Sequence, residues 1–247
     1  MTVPDWLWPL AAAPIVGSFL GVLVMRLPQH RTVVWGGSAC GICGHRLGAR
    51  DLVPVLSWVA LRNRCRYCRA RIGLFYPGIE LAAVAIALWA ATLATGTLLW
   101  VSCGLGWVLL ALASIDAREG LLPDFLTLPL VLAGLAAAQW LEPDALLARA
   151  IGAVAGFAVF WSVALLYRGL RHRDGLGLGD AKLLAAAGAW LGWEALPSVV
   201  LVAAIAGLST ALASGLAGRR IAYDTKLPFG PALCLGFWLV WLYGALQ

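Results

Sequence analysis

The stretch LLWVSCGLGWVLLALASID, residues 98–116, runs for eighteen residues without a charge and then ends in an aspartate. A helix needs about 20 apolar residues to cross the hydrocarbon core of a bilayer, so this run is long enough to be a span. The acid at its edge is the second half of the signal. Ionisable groups at such places are costly and mark functional sites. A second stretch, GLGDAKLLAAAGAWL at 177–191, reverses the order: Asp180 comes first and the apolar residues follow.

The rest of the chain agrees with a membrane protein. Of its 247 residues 62% are hydrophobic and only 12% charged, whereas soluble domains carry about a quarter charged residues. That shortage excludes an ordinary soluble globular enzyme. Thirteen tryptophans suit a protein with many helix ends at the membrane interface. The pattern predicts an all-α polytopic membrane protein of about eight transmembrane helices. The eight runs are Leu7–Met25, Pro77–Thr95, Leu98–Ile115, Phe125–Leu141, Leu147–Tyr167, Ala181–Leu196, Ser198–Leu216 and Pro228–Leu246. Gly96, Glu142-Pro143-Asp144 and Pro197 are the expected turns between them.

Charge sets the orientation. Met1–Leu7 holds Asp5 and no base, which predicts an uncleaved first helix entering from outside. The inner loops are then 26–76, 116–124, 168–180 and 217–227. These loops and their margins contain every Lys and Arg except Arg149, a strong positive-inside pattern. Orientation and contact with anionic membrane lipids therefore account for the net charge of +6, and no nucleic-acid partner is expected. Gly152 and Gly156 form a GxxxG pattern, for which packing within the chain is favoured over dimerisation.

The chain divides into a first transmembrane helix (1–25), a polar cytoplasmic loop domain (26–76) and a transmembrane domain (77–247). The loop holds Cys40-Gly41-Ile42-Cys43 and Cys65-Arg66-Tyr67-Cys68. Two such turns can close a tetrahedron around zinc, so a small zinc-ribbon-like unit is expected, with His45 as a neighbour and not a ligand. Unliganded thiols, disulfides and a redox role are the other readings, and a cytoplasmic location argues against disulfides. Arg46, Arg64, Arg66, Arg69 and Arg71 would favour thiolates. Cys103 and Cys234 fall in apolar runs and read as small core residues.

Asp116 should cap the inner end of the third span, and Asp180 should open the sixth. A pair of carboxylates can share a proton, one taking a proton from water while its partner donates to a carbonyl. Helix dipoles would favour Asp180 as the anion and leave the proton on Asp116. Gly175, Gly177 and Gly179 would let an extended peptide approach the backbone, with Lys182 beside them. Lys182 could equally snorkel to the interface or stabilise a nearby anion. Asp124 is expected to cap the fourth span, and Glu80 to pair with an arginine or serve a second site.

These residues in this order resemble the bacterial type IV prepilin peptidases, membrane aspartic proteases of the GxGD kind. The resemblance runs through Gly17-Ser18-Phe19-Leu20, Arg26-Leu27-Pro28, the two cysteine pairs, Pro54-Val55-Leu56-Ser57-Trp58 and Tyr76-Pro77 with Glu80-Leu81. It continues through Ile115-Asp116, Leu121-Leu122-Pro123-Asp124, the Gly177–Leu184 segment, Gly188–Trp193 and Pro228-Phe229-Gly230-Pro231. Gly21 stands where the family usually has Asn. The resemblance implies residence in the bacterial cytoplasmic (inner) membrane. It implies catalysis by Asp116 and Asp180 and removal of a basic leader from prepilin or pseudopilin precursors at the cytoplasmic face. It also implies N-methylation of the new N-terminus with S-adenosylmethionine. A redox or metal-handling membrane protein built on the CxxC pairs is the alternative, and a structural assembly subunit is a third reading.

Overall fold

A computed structural model of the chain describes residues 4–33, 37–171, 177–216 and 228–244. Its regular structure is helical, and no strand occurs among the described residues. The helices are α1 (Leu7–Arg26), a short α2 (Leu56–Ala60), α3 (Phe75–Ala91), α4 (Gly96–Glu119), α5 (Asp124–Leu141), α6 (Leu146–Arg171), α7 (Leu178–Leu191), α8 (Leu196–Leu216) and α9 (Gly230–Tyr243). Each of the eight apolar runs thus forms a helix. Five are long and apolar enough to cross a membrane: α1, α4, α5, α6 and α8. The remaining three, α3, α7 and α9, have 17, 14 and 14 residues.

The chain forms two compact units, Met1–Ala111 and Leu112–Gln247. In the first, α1 packs along α3. The helices approach closely because Gly17 has no side chain: a Cβ there would lie 2.6 Å from the Glu80 Cα. Gly21 faces Tyr76, whose ring carbon would be 3.0 Å from a Cβ. An Asn at position 21 would have to displace that ring. In the same unit the Trp107 indole N–H donates to the Ala83 carbonyl at 3.0 Å, which satisfies a polar group buried among apolar ones.

Helix α7 is the axis of the second unit. It packs against α5, α6 and α9, and Ala181 and every residue from Leu183 to Trp190 are buried. The run of Ala and Gly from Ala185 to Ala189 permits this, since small side chains let neighbouring helices approach closely. Gly152 and Gly156 of α6 meet α7 so closely that Cβ atoms there would lie 2.6 Å from the Gly188 and Leu184 carbonyl oxygens. The GxxxG pattern is therefore spent inside the chain. Trp190 donates from its indole to the Leu130 carbonyl of α5 at 2.8 Å, where Gly134 leaves room for its ring.

Several expected boundaries shift. Helix α7 starts at Leu178 and stops at Leu191, because Gly192 takes a left-handed conformation (φ 88°) and a short 3₁₀ turn follows. Pro197 is not in that turn; it is the second residue of α8, where its missing N–H costs nothing. Helix α4 runs on to Glu119, so Asp116 lies in its last turn instead of capping it.

Candidate functional site

The second unit brings Asp116 and Asp180 together. Asp116 projects from the last turn of α4, which ends where Gly120 adopts a left-handed conformation (φ 65°) and donates its N–H to the Asp116 carbonyl. Its side chain is buried, and Oδ2 accepts the backbone N–H of Gly230 at 2.9 Å. Gly230 is the first residue of α9, so the carboxylate rests on a helix N-terminus, a natural anion seat. Asp180 is the third residue of α7, whose N-cap is Gly177, and the Gly177 backbone N–H bonds to its carboxylate. The charge of Asp116 acts directly on the Asp180 carboxyl. Each acid meets N–H groups at a helix start, so the helix ends do not separate their roles as the sequence suggested.

Gly230 was missed as a site residue. A Cβ on it would lie 2.5 Å from the Asp116 Oδ2 and 2.8 Å from Cγ. Only a residue without a side chain lets that carboxylate reach the α9 backbone. The Pro228–Pro231 segment was a visible signal, but nothing local in it names Asp116 as the partner. One turn further along α9 lies Cys234, a buried thiol that feels the charge of both acids. It is a core residue, as expected. Cys103 is buried in the first unit.

Of the neighbouring polar residues, Asp124 departs from its expected role and Lys182 takes one of its two. Asp124 does not cap α5, since Pro123 holds the N-cap position; its Oδ1 instead accepts from Lys182 Nζ at 2.5 Å. Lys182 therefore bonds to a carboxylate of its own chain. The close approach allowed by Gly179 is taken by Leu122, whose Cβ would be 2.8 Å from a Cβ on Gly179. Gly177 stays exposed. Gly175 lies outside the described residues.

In the first unit the sulfurs of Cys40, Cys43, Cys65 and Cys68 all lie within 4.8 Å of one another. The two turns are built alike. Cys40 donates its N–H to the His45 carbonyl at 3.0 Å, and Cys65 donates to that of Ala70 at 2.8 Å. The Gly44 and Arg69 N–H groups close each turn, both residues being left-handed (φ 70° and 58°). Sulfurs at the corners of a tetrahedron about 2.3 Å from a metal are roughly 3.8 Å apart, and Cys40 and Cys68 stand at 3.8 Å. The set fits a four-thiolate metal site. Backbone N–H groups of Cys43 and Ile42 lower the Cys40 thiol to about 6. Side-chain hydrogen bonds from Cys43 and Cys65 act in the same direction. His45 stacks on Tyr67 at 3.6 Å between ring centroids and is not one of the four.

Asp51 ties this unit together. Its side chain accepts the Gly48 N–H at 3.1 Å, Arg66 Nε at 2.6 Å and the Tyr67 hydroxyl at 3.3 Å. The Arg66 hydrogen bond holds the carboxyl below its usual range. A carboxyl lowered on folding stabilises the fold fully above its unfolded pKa, about 3.9. That stabilisation disappears as pH falls through the lower folded value. The stability gap between the protein and its Asp51→Asn variant should therefore be constant from neutral pH down to about 5 and narrow below about 4. Denaturant titration followed by circular dichroism would measure it; a gap that widens in acid contradicts this account. Glu80 has an unforeseen partner. Its Oε2 accepts the Val55 N–H at 2.8 Å, a backbone group and not an arginine, which holds the cysteine loop to α3.

Comparison with known proteins follows the same division. Residues 12–94 match the bacterial peptidase A24 N-terminal domain, and residues 103–212 match the type IV leader peptidase family. The chain is 45% identical over 249 residues to a prepilin leader peptidase/N-methyltransferase of Burkholderia pseudomallei, covering 90% of this chain and 80% of that protein. It is 38% identical to the Aeromonas hydrophila protein of the same description, with 93% and 88% covered. For the Pseudomonas aeruginosa protein the values are 35% identity, 93% and 87%. No solved structure matches the chain.

Proposed function

The chain belongs to the type IV leader peptidase family, and on that premise we propose that Asp116 and Asp180 are the catalytic pair of a membrane aspartic endopeptidase. The enzyme removes the leader from type IV prepilin-like precursors and methylates the new N-terminal residue. What supports the catalytic assignment is that two carboxylates 64 positions apart, at the end of α4 and the start of α7, lie near enough for the charge of one to act on the other.

One carboxylate withdraws a proton from water as it attacks the scissile carbonyl, while the other, protonated, donates to the carbonyl oxygen. Close carboxylates in a low dielectric resist double ionisation, which supplies the one acid and one base that the reaction needs. The Gly230 N–H fixes the direction of Asp116, and the exposed Gly177 offers an edge for an extended precursor segment. S-adenosylmethionine is the methyl donor. The described residues assign it no binding site, and hydrolysis is the step that the geometry explains.

The four cysteines hold a structural zinc whose role is to fix the loop of residues 26–76. This loop and the two aspartates face the cytoplasm, with anionic lipid beside the basic loops, as the distribution of cations supports. Residues 77–247 carry the peptidase. The test is to mix the purified protein with a prepilin-like precursor, with and without S-adenosylmethionine, and to read the masses. Cleavage alone, then cleavage plus one methyl group, is expected, and the native mass of the enzyme should include one zinc. An uncut precursor would contradict the reading.

A further inference from the structure

Two neighbouring carboxylates do not hold themselves in place, since they repel whenever both are charged. What joins them is the short connection from α4 to α5. After Asp116 the chain leaves α4 through the left-handed Gly120 and is then fastened to α7 at two points. Leu122, buried, seats in the notch left by Gly179, the residue before Asp180. Asp124, the first residue of α5, binds Lys182, the second residue after Asp180. The two fastenings lie on either side of Asp180 in the sequence. The same connection begins four residues after Asp116.

We propose that Asp124 is a positioning residue for hydrolysis: with Lys182 it clamps residues 120–124 onto α7 and holds the two carboxylates at working separation. This rests on the catalytic assignment of Asp116 and Asp180. It assigns the Lys182 ammonium to the clamp and not to the precursor. The Leu122 contact alone resists sliding of the connection along α7 poorly, because a single apolar seat is not directional. The ion pair adds direction, joining a fixed point on α5 to a fixed point on α7.

The experiment uses the full-length protein with Asp124→Asn, Lys182→Met, both together, or Asp124→Glu. Precursor cleavage is followed by mass across a range of precursor concentrations. Thermal unfolding is recorded in the same detergent, so that a loss of fold is not read as a loss of rate. Either neutral variant should lower kcat roughly tenfold, as misplaced catalytic groups do. KM should stay within about twofold, because no precursor contact is removed. The double variant should be no slower than either single one, since the pair acts as a unit. Asp124→Glu keeps the charge and should recover most of the rate. Wild-type kcat in Asp124→Asn would overturn the proposal. So would a raised KM at unchanged kcat, which would place the pair on the precursor, or losses that multiply in the double variant. If the wild-type protein itself fails to cut, the catalytic assignment falls instead, and the two failures are told apart in one set of assays.

Discussion

Asp116→Asn and Asp180→Asn should each reduce leader removal by at least roughly a thousandfold, the scale on which a positioned acid or base contributes. Asparagine has the shape of aspartate and can still accept the Gly230 N–H, so the packing around α4 and α9 should survive. What it cannot do is take up or release a proton at working pH. Because the two acids act on one proton inventory, the loss of either ends the exchange, and the double variant should be no slower than a single one. A single-turnover assay of precursor mass reads this directly. Methylation of a precursor supplied already cut should continue in both variants. An Asp→Asn protein that cuts at the normal rate would remove that residue from the chemistry.

Gly230→Ala should cost nearly as much without touching an ionisable group. The added methyl would stand 2.5 Å from the Asp116 Oδ2 and 3.1 Å from its Cβ. Turning the carboxylate aside relieves the first contact but not the second, and it gives up the 2.9 Å bond to the α9 backbone. A displaced catalytic group commonly loses about a hundredfold in rate. Overpacking a close site adds about 1–3 kcal/mol of destabilisation. Gly169→Ala is the control, since a Cβ there meets nothing within 4 Å. Cleavage rate and unfolding midpoint, measured on both proteins, decide the point. Equal rates would mean that Asp116 does not depend on its seat at α9.

What the sequence disclosed followed from local regularities. Apolar runs placed eight helices, because burial in lipid acts on each run separately. The cysteine spacing disclosed the four-sulfur cluster, because each CxxC turn forms on its own and only two turns need to meet. The acids at 116 and 180 stood out because a charge beside a span is rare. Beyond these, the decisive partners are long-range. Gly230 lies 114 positions from Asp116, and Asp124 lies 58 from Lys182. No local pattern encodes such pairings, which depend on how α4, α5, α7 and α9 pack. Asp124 was read as a cap because Asp after Pro at a helix start usually is one; Pro123 holds that position instead. The expectation of a proton asymmetry from helix dipoles was incomplete for a related reason. It considered only the helix on which each acid sits, whereas Asp116 reaches the start of another helix.

Whether the two carboxylates truly meet can be measured without any catalysis. In a protein with Cys103 and Cys234 changed to alanine, Asp116→Cys and Asp180→Cys are treated in membranes with a short thiol-to-thiol bridging reagent. The chain is then cut between the two positions. If α4 ends against the start of α7, the halves stay joined. If they separate as completely as in the proteins carrying Asp116→Cys or Asp180→Cys alone, which keep the same four loop cysteines, the acids stand apart and the proposed catalyst is wrong.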